Sequence, residues 1–402
     1  MDSVYTNARL GDDEQLFDIG VAHGKIEFVV EAGRVSAENH PTIDLKGHIV
    51  LPGLVDAHTH LDKTYSTLEN QSGTLLEAIR VWRRVRPTRT YEMVQQSARR
   101  ALNMAIANGV TAMRSHIDIA DEALIPLRAI LDLREELREQ IDLQIVALGS
   151  AAAQRPFLER AMQLGADLVG GAPALCSDPL AEIDAAFAVA EKFGRNIDLH
   201  IDETENPNTL TLNYLADKTI EHNMQGHVTA GHCCSLAFVD DETAKRVIDK
   251  VAAAQLNIVT LPSCNLVLMG RHIHPTPRGT TRVKELLAAG VNVCAASDNV
   301  RDPFNPFGSY DLLQIANLNA HVAHMTGESE LRDCLEMVTT RAASTMGFNN
   351  YKGITVGSRA DFVVLDTDHW LDAVISPPPR LATIKDGKLI VETKIERRWH
   401  RD

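Results

Sequence analysis

The segment Val50-Leu-Pro-Gly-Leu-Val-Asp-Ala-His-Thr-His-Leu-Asp-Lys63 decides how the rest of the chain is read. It holds a short apolar strand, a Pro-Gly turn, a second apolar run and then His58-Thr59-His60. Successive side chains of a strand face opposite sides, so His58 and His60 share a face at the end of that strand. There, two imidazoles can hold one metal ion. Taken alone, such a pair is better explained by surface histidines or satisfied core ones. The residues further along the chain decide between the two.

Downstream, from about 53 to 349, apolar strands alternate with helical periodicity. Helices are expected over 75–84, 91–108, 122–140, 156–164, 178–193, 209–223, 241–254 and 281–289. Strands are expected in Gly109-Val-Thr-Ala-Met-Arg-Ser-His116, Asp142-Leu-Gln-Ile-Val-Ala-Leu148, Asp167-Leu-Val-Gly-Gly171, Asn196-Ile-Asp-Leu-His-Ile201, Gln225 to His232, Leu256 to Pro262 and Val291 to Asp298. About eight strand-helix units imply an α/β chain folded as a (β/α)8 barrel, whose chemistry sits at the carboxyl ends of the strands. The two ends of the chain read differently. Short strands with Gly24 and Gly33 as turns precede the barrel, and Ala360 to Leu365 and Leu381 to Ile390, with an Asp386-Gly387 hairpin, follow it. We therefore expect one composite β-sandwich domain from residues 1–52 and 350–402, and a catalytic barrel from 53–349.

Composition fits this size. The 402 residues are 45% hydrophobic and 23% charged, with a net charge of -14. An acidic chain argues against nucleic acid or an anionic membrane surface as partner. No apolar run reaches the roughly 20 residues of a membrane span, and the polar, acidic start is unlike a signal peptide. The six cysteines form no C-x-x-C pair, which suits reduced thiols and a cytoplasmic location.

Reading the strand ends yields a consistent set. Beside His58 and His60 come His200-Ile-Asp-Glu203, Gly231-His232-Cys233-Cys234 and Ser297-Asp298-Asn299. Each residue alone reads as structural; four strand ends in agreement favour an N/O site for a divalent metal.

Pro-Gly-x-x-Asp-x-His-x-His, with His200, His232 and Asp298 at later strand ends, resembles the amidohydrolase superfamily. His200-Ile-Asp-Glu203, the segment Gly270 to Cys294 and Asp298-Asn-Val-Arg-Asp-Pro-Phe304 are similar to its cytosine deaminase branch. The same segments resemble the N-isopropylammelide amidohydrolases, which remove an alkylamine from a triazine and, like this chain, have a lysine after His-x-His-x-Asp, here Lys63. The resemblance implies one divalent ion, zinc or iron, held by His58, His60, His200 and Asp298. It implies a hydroxide on that ion attacking the amine-bearing carbon of a small heterocycle. Asp298 would relay the water's proton, His232 would orient the hydroxide, and Glu203 would protonate a ring nitrogen. By spacing alone, Glu203 is equally a solvated loop carboxylate. Relatives of this kind often assemble, which implies a homo-oligomer. The carboxylated lysine of the binuclear branches has no counterpart, because no lysine stands between Lys63 and Lys192.

Two departures from the cytosine deaminase pattern bear on the substrate. The glutamine expected after the third strand is replaced by Ser150, and Gln154 reaches that place only if the loop folds back. Asp-Asp on the last strand is here Asp298-Asn299. Substrate contacts are therefore expected from Lys63, Ser150, Gln154, Asn299 and Phe304; Lys63 is as readily solvated, and Phe304 as readily plain packing. His116, at the end of the second strand, reads as structural rather than as a residue behind the metal ligands, which is the alternative there, and His272 and His274 read as loop residues. The function expected is hydrolytic deamination of a cytosine-like heterocycle. The alternatives are alkylamine release from a triazine-like ring or a non-catalytic metal- or ligand-binding barrel.

Overall fold

In the computed structural model, residues 2–11, 14–34 and 40–400 are described. Four N-terminal strands, β1 (Ser3–Arg9), β2 (Leu16–Ala22), β3 (Lys25–Glu31) and β4 (Thr42–Asp44), form one sheet in the order β3-β2-β1-β4. After β5 (Val50–Pro52) the chain enters eight parallel strands: β6 (Leu54–Thr59), β7 (Val110–Asp118), β8 (Asp142–Leu148), β9 (Leu168–Gly171), β10 (Asn196–Ile201), β11 (Val228–His232), β12 (Asn257–Thr260) and β13 (Asn292–Ala295). The last three strands, β14 (Phe362–Leu365), β15 (Arg380–Lys385) and β16 (Lys388–Glu392), pair with β5 in an antiparallel sheet. Tyr5, Ile19 and Ile26 of the first sheet share a buried core with Val50, Phe362, Val364 and Ile384 of the second.

The eight parallel strands follow one another in chain order around the barrel. Helices cover them outside, so the strands are buried on both faces and read as continuous apolar runs. β7 shows this best: its first eight residues are all buried. The ring closes where Thr59 bridges Asp298, and there the Asp298 amide donates to the His58 carbonyl at 2.9 Å. The Asp56 carboxylate accepts from the Ser297 amide at 3.0 Å beside it. Sequence-local signals set the helix starts: Thr74, Asp178 and Asp240 each accept a backbone N–H from three residues ahead.

The helices lie close to their expected spans. Pro262–Leu268, directly after β12, and three helices over Leu312–Val322, Glu328–Glu336 and Thr340–Thr345 were not foreseen. The first is too short to display a helical period. No helix among the described residues is long and apolar enough to cross a membrane.

Candidate active site

The carboxyl ends of β6, β10, β11 and the turn after β13 converge on one point. His58 lies within β6, and His60 is one residue past its end; His200 is in β10, His232 ends β11, and Asp298 follows β13. All five are buried. Nε2 of His60 is 3.2 Å from Nε2 of His200 and 3.2 Å from Oδ1 of Asp298. Nε2 of His58 is 3.6 Å from the same Oδ1, and Nδ1 of His232 is 4.0 Å from Oδ2. One ligand atom each from His58, His200, His232 and Asp298 fits within 4.8 Å of the others; His60 joins them through its 3.2 Å contacts.

The backbone is forced to deliver them. His232 has φ 67°, Asp298 φ 56° and Asp202 φ 50°, all in the left-handed region that residues with a Cβ rarely enter. Such strain persists only where the surroundings fix it and clusters at functional sites. Three side chains, Thr59, Asp202 and Asn265, do the fixing. The Thr59 hydroxyl donates to the Asp298 carbonyl at 2.8 Å. The Asp202 carboxylate accepts from the Thr211 amide at 3.0 Å, the Thr211 hydroxyl at 2.6 Å and the Leu212 amide at 3.0 Å, pinning the loop that carries Glu203. The Asn265 amide lies 3.0 Å from Nδ1 of His232.

This cluster fits a metal ion. Both ring nitrogens of His58, Nδ1 of His200, Nε2 of His232 and both oxygens of Asp298 are buried with no hydrogen-bond partner among the described residues. Folded proteins rarely leave buried polar atoms unpaired, and an absent ion is one such explanation. Burial, reinforced by neighbouring imidazoles and Lys63, holds His58, His60 and His200 well below the ordinary histidine range. Burial also pushes His232 down to about 4, against the pull of Asp298. Neutral imidazole is the form that ligates. Burial and then Asp298 push Glu203 well above the usual carboxylate range. Its Oε1 is 3.6 Å from Nδ1 of His232.

Above the cluster lies a cavity of about 490 Å³. His60, His200, His232 and Glu203 form part of its floor, and the five expected substrate contacts, Lys63, Ser150, Gln154, Asn299 and Phe304, all line it. Lys63 is buried rather than solvated, with Nζ 3.1 Å from Nδ1 of His60. The loop after β8 does fold back: the Gln154 backbone N–H donates to the Ser150 carbonyl at 2.8 Å. Asn299 donates to Asp302 at 2.5 Å.

Several neighbours were missed. Helix Leu75–Val85 sends Leu75, Ile79, Trp82 and Arg83 to the cavity wall, a spacing of one helix face that the sequence displays. The Trp82 indole donates to Asp118 at 2.9 Å, which also pairs with Arg86 at 3.0 Å. The ring of His116 sits 4.0 Å from that of His58, with Nε2 3.6 Å from Asp198. Asp198 is in turn held by Arg114 at 2.7 Å. His272 and His274 stand in the loop before Val283–Ala288, outside any helix or strand.

A model of the amidohydrolase family matches residues 41–132 and 92–391. The chain belongs to that family. It is 34% identical over 384 residues to a pterin deaminase from Rhizobium rhizogenes, covering 93% of this chain and 87% of the relative. It is 30% identical over 409 residues to the N-isopropylammelide isopropyl amidohydrolase of Pseudomonas sp. (strain ADP), with 98% of each covered. Among solved structures, a 5-methylcytosine deaminase from Klebsiella pneumoniae liganded with 5-fluorocytosine superposes with a TM-score of 0.94 at 32% identity, over 99% of each chain. As an amidohydrolase, this chain is a hydrolase of non-peptide C–N bonds.

Proposed function

We propose that this amidohydrolase removes the exocyclic amine of a small cytosine-like nitrogen heterocycle, releasing ammonia. The observation that carries the reading is the meeting of unpaired ligand atoms with Glu203 on the floor of one ring-accommodating cavity. His58, His60, His200 and Asp298 would hold one divalent ion, zinc or iron. Such an ion supplies hydroxide at neutral pH by lowering the pKa of water from 15.7 to as low as ~7.

The chain's own groups divide the remaining work. Asp298 takes the water's proton on a carboxylate oxygen and returns it to the departing amine. His232 orients the attacking oxygen toward the ring. Glu203, whose acidity burial and Asp298 suppress, gives its proton to a ring nitrogen as the adjacent carbon becomes tetrahedral, and takes up the hydroxyl proton as the C–N bond breaks and the carbonyl forms. Lys63, Ser150, Gln154, Asn299 and Phe304 hold the ring, and the cavity walls keep bulk water away. In this reading residues 53–349 are the catalytic unit and 1–52 with 350–402 the accessory β-sandwich domain. We further take the protein as a cytoplasmic homo-oligomer. The net charge of -14 supports the absence of a nucleic-acid partner.

A second reading, release of an alkylamine, is favoured by Leu75, Ile79 and Leu175 in the cavity wall, which suit an alkyl group. The test is a panel of cytosine, 5-methylcytosine, isoguanine, pterin, ammelide and N-alkyl ammelides, with and without chelator. Ammonia from one ring, abolished by chelation, is expected. Alkylamine without ammonia moves the assignment to the second reading, and silence across the panel sinks both. In a substrate so found, Glu203→Gln retains the metal and loses about 10²–10⁴-fold in turnover; full activity in that variant removes Glu203 from proton transfer.

A further inference from the structure

The loop Gly149 to Gln154 is held from below by a residue that the chemistry above does not use. Glu182, on the helix Pro179–Phe193, is 1% exposed. Its carboxylate accepts from the Ser150 hydroxyl at 2.8 Å, from the Ala152 amide at 3.1 Å and from the Ala151 amide as well. No cation pairs with it among the described residues; backbone and hydroxyl donors from three consecutive residues take that place. The Ser150 hydroxyl accepts in turn from the Ala153 amide at 3.0 Å. The loop is thereby closed into a turn whose last side chain is Gln154.

The polarity of that side chain follows from its own partner. The Ser150 backbone N–H donates to Oε1 of Gln154 at 3.0 Å. A backbone N–H demands an oxygen, so the amide cannot stand the other way round. Nε2 has no hydrogen-bond partner among the described residues, and Gln154 lines the cavity. Gly149 keeps the arrangement open: a Cβ there would come within 3.1 Å of the same Oε1 and 2.6 Å of Ile119.

We propose that Glu182 is a positioning residue that locks the 149–154 turn and thereby makes Gln154 a donor-only contact, selecting rings with an acceptor, such as a ring carbonyl, opposite it. This rests on the cavity being the site of a heterocycle hydrolase. A buried donor left facing a ring without that acceptor stays unpaired, which is how polar contacts discriminate.

The test compares metal-loaded wild type, Glu182→Gln, Gln154→Met and the double variant. The probes are cytosine and isocytosine, each beside the analogue lacking its carbonyl, 4-aminopyrimidine and 2-aminopyrimidine. Binding is read by calorimetry and turnover by ammonia release. Wild type is expected to prefer a carbonyl-bearing ring. Each single variant should lose roughly 10- to 100-fold of that preference, mostly in KM or Kd, and in Gln154→Met part of the loss comes from tighter binding of the ring without the carbonyl, which no longer faces an unpaired donor. The double variant should lose no more than either single one, because both changes remove the same contact. Unchanged preference in Glu182→Gln, or additive losses in the double variant, overturns the proposal whatever happens to the melting temperature. A wild type that binds none of the four rings overturns this inference, whereas the proposed function stands or falls separately with the wider panel.

Discussion

Two buried polar clusters of this chain differ in how they are satisfied. Where the barrel meets the C-terminal sheet, Lys385 is fully buried, yet its Nζ is 2.9 Å from Asp386, 3.3 Å from Asp142 and 3.4 Å from Asp361. Arg359 adds a second cation 3.0 Å from Asp361. Charge meets opposite charge throughout. At the other cluster, His58, His60, His200, His232 and Asp298 bring one carboxylate against four imidazoles that burial keeps neutral, and six of their polar atoms have no hydrogen-bond partner among the described residues. An unpaired buried group costs stability unless something else satisfies it. Of the first cluster's buried polar atoms only Oδ2 of Asp361 lacks a hydrogen bond among the described residues, and two cations face it at 3.0 and 3.4 Å. That cluster is therefore balanced by its own charges and serves the fold, whereas the second is built for a group that the polypeptide does not itself supply.

The largest expected effect breaks the second cluster. Asp298→Ala should abolish stoichiometric metal and lower turnover by at least about 10³-fold, as removal of one member of a catalytic unit does. Melted in chelator, however, the variant should be no less stable than metal-free wild type, because an unpaired buried carboxylate has been removed. Added zinc should raise the wild-type melting temperature and leave the variant's unmoved, since only a protein with the site gains by mass action. Metal analysis and thermal melts decide it. A marked loss of stability in chelator would show that Asp298 is structural, and the contrast between the clusters would fall.

The first cluster should answer in the opposite way. Lys385→Met leaves Asp361 buried beside one cation fewer and should cost about 3–5 kcal/mol in urea unfolding. Turnover per folded molecule should be unchanged. Adding Asp361→Leu should recover only part of the loss, because it makes the Lys385–Asp361 pair apolar but also takes an acceptor from Arg359 and from the Asp386 amide. Failure of the second substitution to restore stability would mean that Lys385 acts through Asp142 or Asp386 instead.

The sequence made the second cluster far more readable than the first. His58, His60, His200, His232 and Asp298 each stand at the end of an apolar run, and strand period and barrel topology bring such ends together by rule. The eight strand-helix units were visible for the same reason. Lys385, Arg359, Asp142 and Asp361 carry no such signature; they meet only because a C-terminal hairpin packs under the start of β8, a contact between positions far apart in the chain. Glu182 was hidden likewise, being one acidic residue in the first turn of a helix where any acid is expected. His116 is an intermediate case: its place at a strand end allows a position behind the ligands, but only the barrel's packing lays its ring against His58. Gln154 shows the middle case. Its type and spacing suggested a substrate contact on condition that the loop turned back, and the turn depends on Glu182 from another helix.

The smallest effect sharpens the boundary of the second cluster. Asn265 comes from the short helix after β12 that the sequence left unread, and its amide, 3.0 Å from Nδ1, is the hydrogen-bond partner of the His232 ring. Asn265→Leu keeps the volume roughly constant and removes that bond, leaving the ring free to turn away from Asp298 and Glu203. Groups that orient a site imidazole typically contribute 10–100-fold. His232 is further held by its strained backbone at φ 67°, so the low end, roughly tenfold in turnover, is expected with metal content intact. The loss should fall on kcat more than on KM, because the ring orients the attacking oxygen and is not the main contact to the heterocycle. Metal lost together with activity would instead make His232 a ligand in its own right, and the cluster would then have five protein donors around the ion.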